Sequence, residues 1–346
     1  MTFTNKIISN IIYSTVTFIV LFGFVFVNRA SALTISPARI EISGDPGTII
    51  TKDITLFNDS KNISETYYVS YANFEAQGET GSPRFVEPKN GLGTWMNAGT
   101  SITLEAGKSK TIPLVINIPK DAYAGGHFSV VFFGNSPNVK DGGQVSVGAK
   151  TGTLVLLSVN GDVLEAGGLA DFKTENNKFF YNSLPVNFQY RWRNDGNDRV
   201  KPEGNIIIHN IVYFPVAKIN ANSVSGNILP HSTRLFDVEY VKFHLDTKVK
   251  SNDSFINSYF EKVYYQWKNF ALGPYVANLD LVYGEAQNHS SKYTFFFVFP
   301  WQLLIIIFIV LIILFFIGRT LIRKYNRHII KMARMGMQTP NDVHHD

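Results

Sequence analysis

The hydrophobic and polar positions of this chain follow one pattern over most of its length. From Leu33 onward, short apolar runs alternate with polar residues at a period of two, as in TKDITLFN, where Ile54 and Leu56 alternate with Asp53 and Thr55. This period places alternate side chains on one face of a β-strand. Clusters of turn-forming residues, such as GDPG at 44–47, separate the runs. Short strands at this spacing predict β-sandwiches.

The predicted strands fall into two sets. The first set comprises Ile35 to Ile42, Ile49 to Phe57, Thr66 to Phe74, Lys110 to Ile118, His127 to Phe133 and Leu154 to Val159. The second comprises Asn177 to Asn182, Val186 to Arg193, Gly204 to Ile208, Ile211 to Lys218, Arg234 to Val241 and Tyr275 to Tyr283. Strand-turn sequences recur in the same order in both sets, for example LFNDS and RWRNDG. We therefore predict an all-β fold with two tandem sandwich domains, 33–165 and 166–290.

A helical period interrupts the second set. Between residues 251 and 270, apolar residues recur every three or four positions, among them Tyr259, Tyr264 and Trp267. This predicts an amphipathic helix inserted before the last strand of the second domain. Its stripe either closes one end of the sandwich or, because it is rich in aromatic residues, docks a partner or the membrane surface. These three residues are the candidate partner-docking residues.

A continuous uncharged run, Phe295 to Ile317, follows the strands. A bilayer core of about 30 Å needs roughly 20 apolar residues in a helix, so we predict a transmembrane helix at 295–317 that binds the lipid bilayer. The tail, 318–346, is basic through Arg319, Arg323, Lys324, Arg327, Lys331 and Arg334. The positive-inside rule places this tail in the cytoplasm and the sandwiches outside.

The N-terminal segment, 1–32, has the features of a signal peptide. It combines Lys6, an apolar run and the small residues Ala30-Ser31-Ala32, which predict cleavage after Ala32. An uncleaved first transmembrane helix is the alternative, because the run is longer than most signal-peptide cores. With cleavage, the chain is a single-pass type I protein of the bacterial cell membrane.

Charge and cysteine content narrow the classes of function. The chain carries +5, of which the signal segment contributes +2 and the tail +4, so residues 33–294 carry −1. A near-neutral ectodomain argues against a nucleic-acid partner. The sequence contains no cysteine, which excludes disulfides, zinc-thiolate sites and thiol nucleophiles within this chain.

Motifs for catalysis or metal binding are absent from the sequence. The GKS at 107–109 lacks the upstream glycine of a phosphate-binding loop, where Ile102 stands instead. We expect Trp95 in the core, with a ligand platform as the alternative, and His127 at a sandwich edge. We predict no cofactor, no metal and no enzymatic activity. A hydrolase would require isolated carboxylates to pair in space, the candidates being Glu75, Glu79 and Glu87.

Several segments resemble a known family of bacterial surface proteins. LTISPARIEISGDPG, LGTWM and LEAGKSKTIPLVINIPKDAYAGGHFSVVFFG resemble the first domain of the WxL-interacting protein family. NFQYRWRNDGNDRVKPEGNIII and LGPYVANLDLVYGE are similar to the domain that follows it there. The resemblance implies Ig-like sandwiches, of which the first binds peptidoglycan and the second engages other surface proteins, without catalysis.

Two hypotheses follow. The first is a membrane-anchored, non-enzymatic binding or scaffold protein of the bacterial envelope, with peptidoglycan or surface proteins as partners. The alternative is a structural or accessory subunit of an envelope membrane complex, organised by the aromatic helix and the transmembrane segment.

Overall fold

A computed structural model describes residues 33–60, 62–136, 149–245 and 255–336. The predicted signal segment, with its cleavage site after Ala32, lies outside the described residues, as does the end of the basic tail. The chain forms two compact units: the first comprises residues 33–75 and 83–163, and the second comprises 76–82 and the part that follows Val163. The predicted domain boundary after residue 165 lies next to this division.

The first unit is a sandwich of two sheets. Its strands are β1 (Leu33–Ser36), β2 (Arg39–Gly44), β3 (Ile49–Asn58), β4 (Glu65–Gln77), β5 (Ser82–Val86), β6 (Met96–Asn97), β7 (Ser101–Leu104), β8 (Ser109–Asn117), β9 (Gly125–Gly134) and β10 (Lys150–Val159), with a short helix α1 (Leu92–Trp95). One sheet has the order β1-β3-β8-β6, and the other has β2-β10-β9-β4-β5 with β7 paired to β4. The alternating residues Ile54 and Leu56 are fully buried between them.

One predicted strand of the first unit is two strands. The segment Ile35 to Ile42 contributes β1 to one sheet and β2 to the other. Pro37 lies between the two strands and has no amide hydrogen with which to continue a ladder, which explains the change of sheet.

The second unit is also a sandwich. Its strands are β11 (Gly167–Thr174), β12 (Phe180–Tyr181), β13 (Val186–Asn194), β14 (Glu203–Asn210), β15 (Pro215–Asn220), β16 (Ser232–Tyr240), β17 (Gly273–Tyr283) and β18 (Asn288–Val298). One sheet has the order β11-β13-β16, and the other has β12-β18-β17-β14-β15. Large side chains such as Trp192, Phe188 and Phe296 fill the core and are completely buried.

The C-terminal apolar run is not a single helix, which corrects the predicted boundary. Residues 295–298 belong to β18 and pair with the first residues of β17. Phe296 and Val298 are completely buried in the core, so the second sandwich extends past residue 290. The helix α3 begins at Trp301, after Pro300, and continues to Gly336. Among the described residues it is the one helix long and apolar enough to cross a membrane.

The inserted helix, α2, spans Phe255–Lys268, within the predicted range of 251–270. Two strands follow it, β17 and β18, where one was predicted. The first residues of β18, NHSSK, are all polar and mostly exposed, so they lack the alternation of apolar and polar residues from which a strand is predicted. The predicted fold class, tandem Ig-like sandwiches with a helix inserted in the second and a C-terminal apolar helix, is confirmed.

Candidate functional site

Strand register brings several chain segments to one end of the second unit. Asn210, the last residue of β14, pairs with Tyr275 near the start of β17. Tyr275 pairs in turn with Phe296 of β18, and Phe180 of β12 pairs with Phe297. Because β18 leads into α3, these residues lie at the end of the sandwich from which the apolar helix leaves. We call this the helix end.

The first exposed segment at the helix end is the turn between β14 and β15. Residues 211–214 (IVYF) are 63–76% exposed, although the sequence predicts a strand there. The side-chain oxygen of Asn210 accepts hydrogen bonds from the amides of Val212 (3.2 Å) and Phe214 (3.0 Å), and Tyr213 has a φ of 63°. This side-chain-stabilised turn holds four consecutive apolar residues away from the core.

The second segment is α2, which exposes an apolar face beside the exposed polar residues Asn257, Glu261 and Lys262. Ile256, Phe260, Tyr264 and Trp267 are 56–63% exposed and recur at helical spacing. The buried residue on the other side is polar: Gln266 is 3% exposed. An amphipathic helix at a water-exposed surface buries its apolar stripe against the core, whereas α2 leaves these four apolar side chains exposed.

Gln266 joins α2 to the first turn of α3. Its amide nitrogen donates to the side chain of Gln302 and to the carbonyl of Asn182, and its oxygen accepts from the amide of Leu303 at 2.9 Å. The first amides of a helix have no partner within the helix, so Gln266 caps α3. The hydroxyl of Tyr259 adds a bond to the carbonyl of Gln302 at 3.1 Å.

An apolar groove of about 460 Å³ lies between α2 and α3. Its walls contain only apolar and aromatic residues. They are Phe260, Val263, Tyr264 and Trp267 of α2, and Leu303, Ile306, Ile307, Val310 and Leu311 of α3.

Further apolar side chains are exposed at the same end of the second unit. Both sheets contribute residues to this end. In the sheet β11-β13-β16, Tyr240 at the end of β16 pairs with Val186 at the start of β13, and Phe243 follows Tyr240 in the chain. The additional residues, 42–66% exposed, are Phe179, Phe180, Phe243, Phe270, Leu272 and Phe299. Together with residues 211–214 and the exposed face of α2, we call these residues the apolar collar.

Two ionisable groups, Tyr265 on α2 and Lys242 next to it, have shifted pKa values. Burial lowers the pKa of Lys242, whose ammonium donates to the carbonyl of Phe270. Burial raises the pKa of Tyr265, and the Glu239 carboxylate adds to this effect. Desolvation is the main cause of both shifts, as expected where α2 packs against the sandwich.

The structure separates the three predicted docking residues. Tyr264 and Trp267 lie on the exposed face of α2 and line the groove. Tyr259 points toward the start of α3, with its ring centroid 6.5 Å from that of Trp301. The sequence gives no sign that residues 211–214 form a site, because their apolar run before Pro215 predicts a strand.

In the first unit, His127 is buried, near the start of β9. It is 3% exposed and pairs with Leu157 of β10, beyond the last β4–β9 pair, Asn73 with Ser129. Its ring lies 4.6 Å from Trp95 and 4.2 Å from Tyr123, and its Nε2 is 2.9 Å from the Tyr123 carbonyl. Trp95 is partly buried against the first core, as expected for a packing residue.

Two of the three candidate carboxylates, Glu75 and Glu79, are paired with arginines. Glu75 accepts a hydrogen bond from Arg84 at 3.0 Å, and Glu79 accepts one from Arg191 at 2.7 Å. Within the part of the chain that the structure describes, no group of three or more His, Cys, Asp or Glu side chains could hold a metal ion.

Comparison with known proteins relates the fold to solved structures. No family model matches the chain, and no curated protein matches it. The class 5 fimbriae chaperone CfaA is 13% identical, with a TM-score of 0.37, over 77% of this chain and 99% of its own. The E. coli chaperone DraB is 9% identical, with a TM-score of 0.31, over 77% and 97%. The Pseudomonas aeruginosa chaperone CupB2 is 6% identical, with a TM-score of 0.30, over 75% and 98%. At this level the likeness does not identify a family.

Proposed function

We propose that the protein is a membrane-anchored, non-enzymatic binding or scaffold protein of the bacterial envelope, with both sandwiches outside the cytoplasm. The observation that carries this proposal is the direct continuation of β18 into α3. Only Phe299 and Pro300 separate Val298, buried in the second core, from Trp301, the first residue of the apolar helix. A folded unit is thereby joined to a membrane anchor without a flexible spacer.

The charge distribution along α3 supports the orientation. The apolar part ends near Ile317, and the exposed basic residues that follow are Arg319, Arg323, Lys324, Arg327 and Lys331. No acidic residue occurs between Trp301 and Gly336. A one-sided basic cluster of this kind favours the cytoplasmic side, which supports an orientation with the sandwich at the other end of α3 outside.

Anchoring and orientation are tested with the full chain in bacterial membranes. Alkaline carbonate should leave the protein in the membrane fraction. In spheroplasts, external protease should degrade the sandwiches and spare an epitope fused to the C-terminus. Release by carbonate would overturn the anchor, and loss of the epitope in intact spheroplasts would overturn the orientation.

The partner class is proposed on the resemblance to WxL-interacting proteins, which implies peptidoglycan for the first domain. The detergent-solubilised full chain should sediment with insoluble peptidoglycan, whereas an unrelated single-pass protein in the same detergent should not. Recovery of the chain only in the supernatant would exclude peptidoglycan and leave surface proteins as the partners.

A second candidate function is an accessory subunit of an envelope membrane complex. The exposed groove between α2 and α3 favours it, because Tyr264 and Trp267 present apolar surface beside the anchor. Crosslinking in intact membranes should then trap a stoichiometric partner. Tyr264→Glu with Trp267→Glu should abolish this product without changing the thermal unfolding of the chain. A product that persists unchanged in this variant would count against the groove as the docking site.

A further inference from the structure

We propose that the apolar collar seats the second unit in the outer leaflet of the bilayer, where lipid acyl chains occupy the groove between α2 and α3. The inference deepens the proposed function and rests on one part of it, the crossing of the membrane by α3. Under this inference the helix end of the second unit is inserted in the membrane interface and is not held above the membrane.

The position of the collar is the first argument. Both sheets and α2 contribute exposed apolar residues, and these lie at the end from which α3 leaves. At the opposite end of the second unit, fewer large apolar residues are exposed, among them Val224 and Leu164. These residues border α3, so a bilayer that α3 crosses would meet them together, and exposed apolar patches of this kind occur at membrane contacts.

The orientation of α2 is the second argument. Its apolar side chains face outward while Gln266 is buried and fully hydrogen-bonded. Removing large apolar side chains from water is favourable, so this face favours an apolar surrounding. Trp267 and Tyr264 are residue types that prefer the membrane interface. Lys268, whose ammonium lies 5.7 Å from the Tyr264 ring, adds a cation suited to lipid phosphates.

The depth of the groove is the third argument. Its α3 wall extends from Leu303 to Leu311, about 12 Å along the helix at 1.5 Å per residue. If α3 crosses the bilayer, this wall lies in the hydrocarbon layer. The facing wall on α2 then lies in the same layer, so acyl chains rather than water fill the space between them.

The length of the anchor is the fourth argument. The apolar part of α3, Trp301 to Ile317, has about 17 residues and spans about 25 Å, less than the hydrocarbon core of about 30 Å. Insertion of the helix end by a few ångströms supplies the missing apolar thickness. The collar residues, which are exposed and apolar, can enter the bilayer with α3.

The test uses the full chain in vesicles of phosphatidylcholine and phosphatidylglycerol. Because the native sequence has no cysteine, single cysteines can be introduced by Tyr213→Cys and Trp267→Cys in the collar, Val224→Cys at the opposite end and Phe308→Cys in α3. Each is labelled with an environment-sensitive fluorophore. Lipids that carry a nitroxide at a shallow or a deep position then report the depth of each label.

We expect blue-shifted emission and quenching by shallow nitroxides at 213 and 267, quenching by deep nitroxides at 308, and no quenching at 224. If 213 and 267 behave like 224 while 308 is quenched, the collar is in water, which overturns the inference and leaves the anchor intact. If 308 is also unquenched, the anchor itself fails. Labels at 213 and 267 that are shielded from both lipid and aqueous quenchers would show that a second copy of the chain covers the collar, which overturns the lipid proposal.

Discussion

The side-chain oxygen of Gln266 accepts a hydrogen bond from the backbone amide of Leu303 at 2.9 Å, and both groups are buried. Through this bond the inserted helix α2 caps the apolar helix α3. The second sandwich, the inserted helix and the start of the apolar helix are therefore packed against one another.

Replacing Gln266 should loosen this junction. We expect Gln266→Leu to lower the free energy of unfolding by about 1–3 kcal/mol, because the buried Leu303 amide loses its acceptor. Thermal unfolding of the detergent-solubilised chain measures the effect. Lys262→Gln, on an exposed part of α2, is the matched control and should leave the melting temperature unchanged. Equal melting temperatures for both variants would contradict the capping role.

Phe296 tests the boundary between strand and anchor. It is completely buried in the second core, so Phe296→Ala should destabilise the second unit by about 3–5 kcal/mol. Phe299→Ala alters an exposed residue just beyond β18 and should change stability by less than about 0.5 kcal/mol. Denaturant unfolding followed by tryptophan fluorescence compares the two. Similar small effects would favour the boundary that the sequence predicted, with both residues in the anchor.

Asn210 tests the exposed turn of residues 211–214. Asn210→Ala removes the acceptor of the Val212 and Phe214 amides, which should cost about 1 kcal/mol and speed hydrogen exchange in this turn. Asn257→Ala, on an exposed part of α2, serves as the control. Hydrogen exchange followed by mass spectrometry is the measurement. Unchanged exchange at 211–214 would mean that the side chain of Asn210 does not hold the turn.

Acidic substitutions in the same turn test the membrane contact independently of the anchor. Val212→Asp with Phe214→Asp places charges where the bilayer interface is proposed, and both positions are exposed, so folding should be preserved. In a chain labelled at position 267, we expect a red shift and weaker quenching by shallow nitroxides. Val224→Asp should have no effect. A response of equal size to both changes would point to a general charge effect instead of a local contact.

The sequence alone predicted those elements whose periodicity is local. Alternation such as that of Ile54 and Leu56 predicted strands, the three- and four-residue spacing around Trp267 predicted the inserted helix, and the uncharged run before the basic tail predicted an apolar C-terminal helix. Each of these patterns depends only on which side chains a single helix or strand can bury. It can therefore be recognised without knowing what packs against that element.

Tertiary structure decided the features that depend on partners distant in the chain. Phe295 to Val298 is apolar enough for either a strand or a membrane helix, and only its pairing with β17 makes it a strand. The sequence of residues 211–214 predicts a strand, but the side chain of Asn210 stabilises a turn that leaves them exposed. In the sequence Gln266 looks like any polar helix residue, and only its contact with the start of α3 makes it a cap. The collar exists only because strand register gathers these segments at one end, and a local hydrophobic pattern carries no information about register between distant strands.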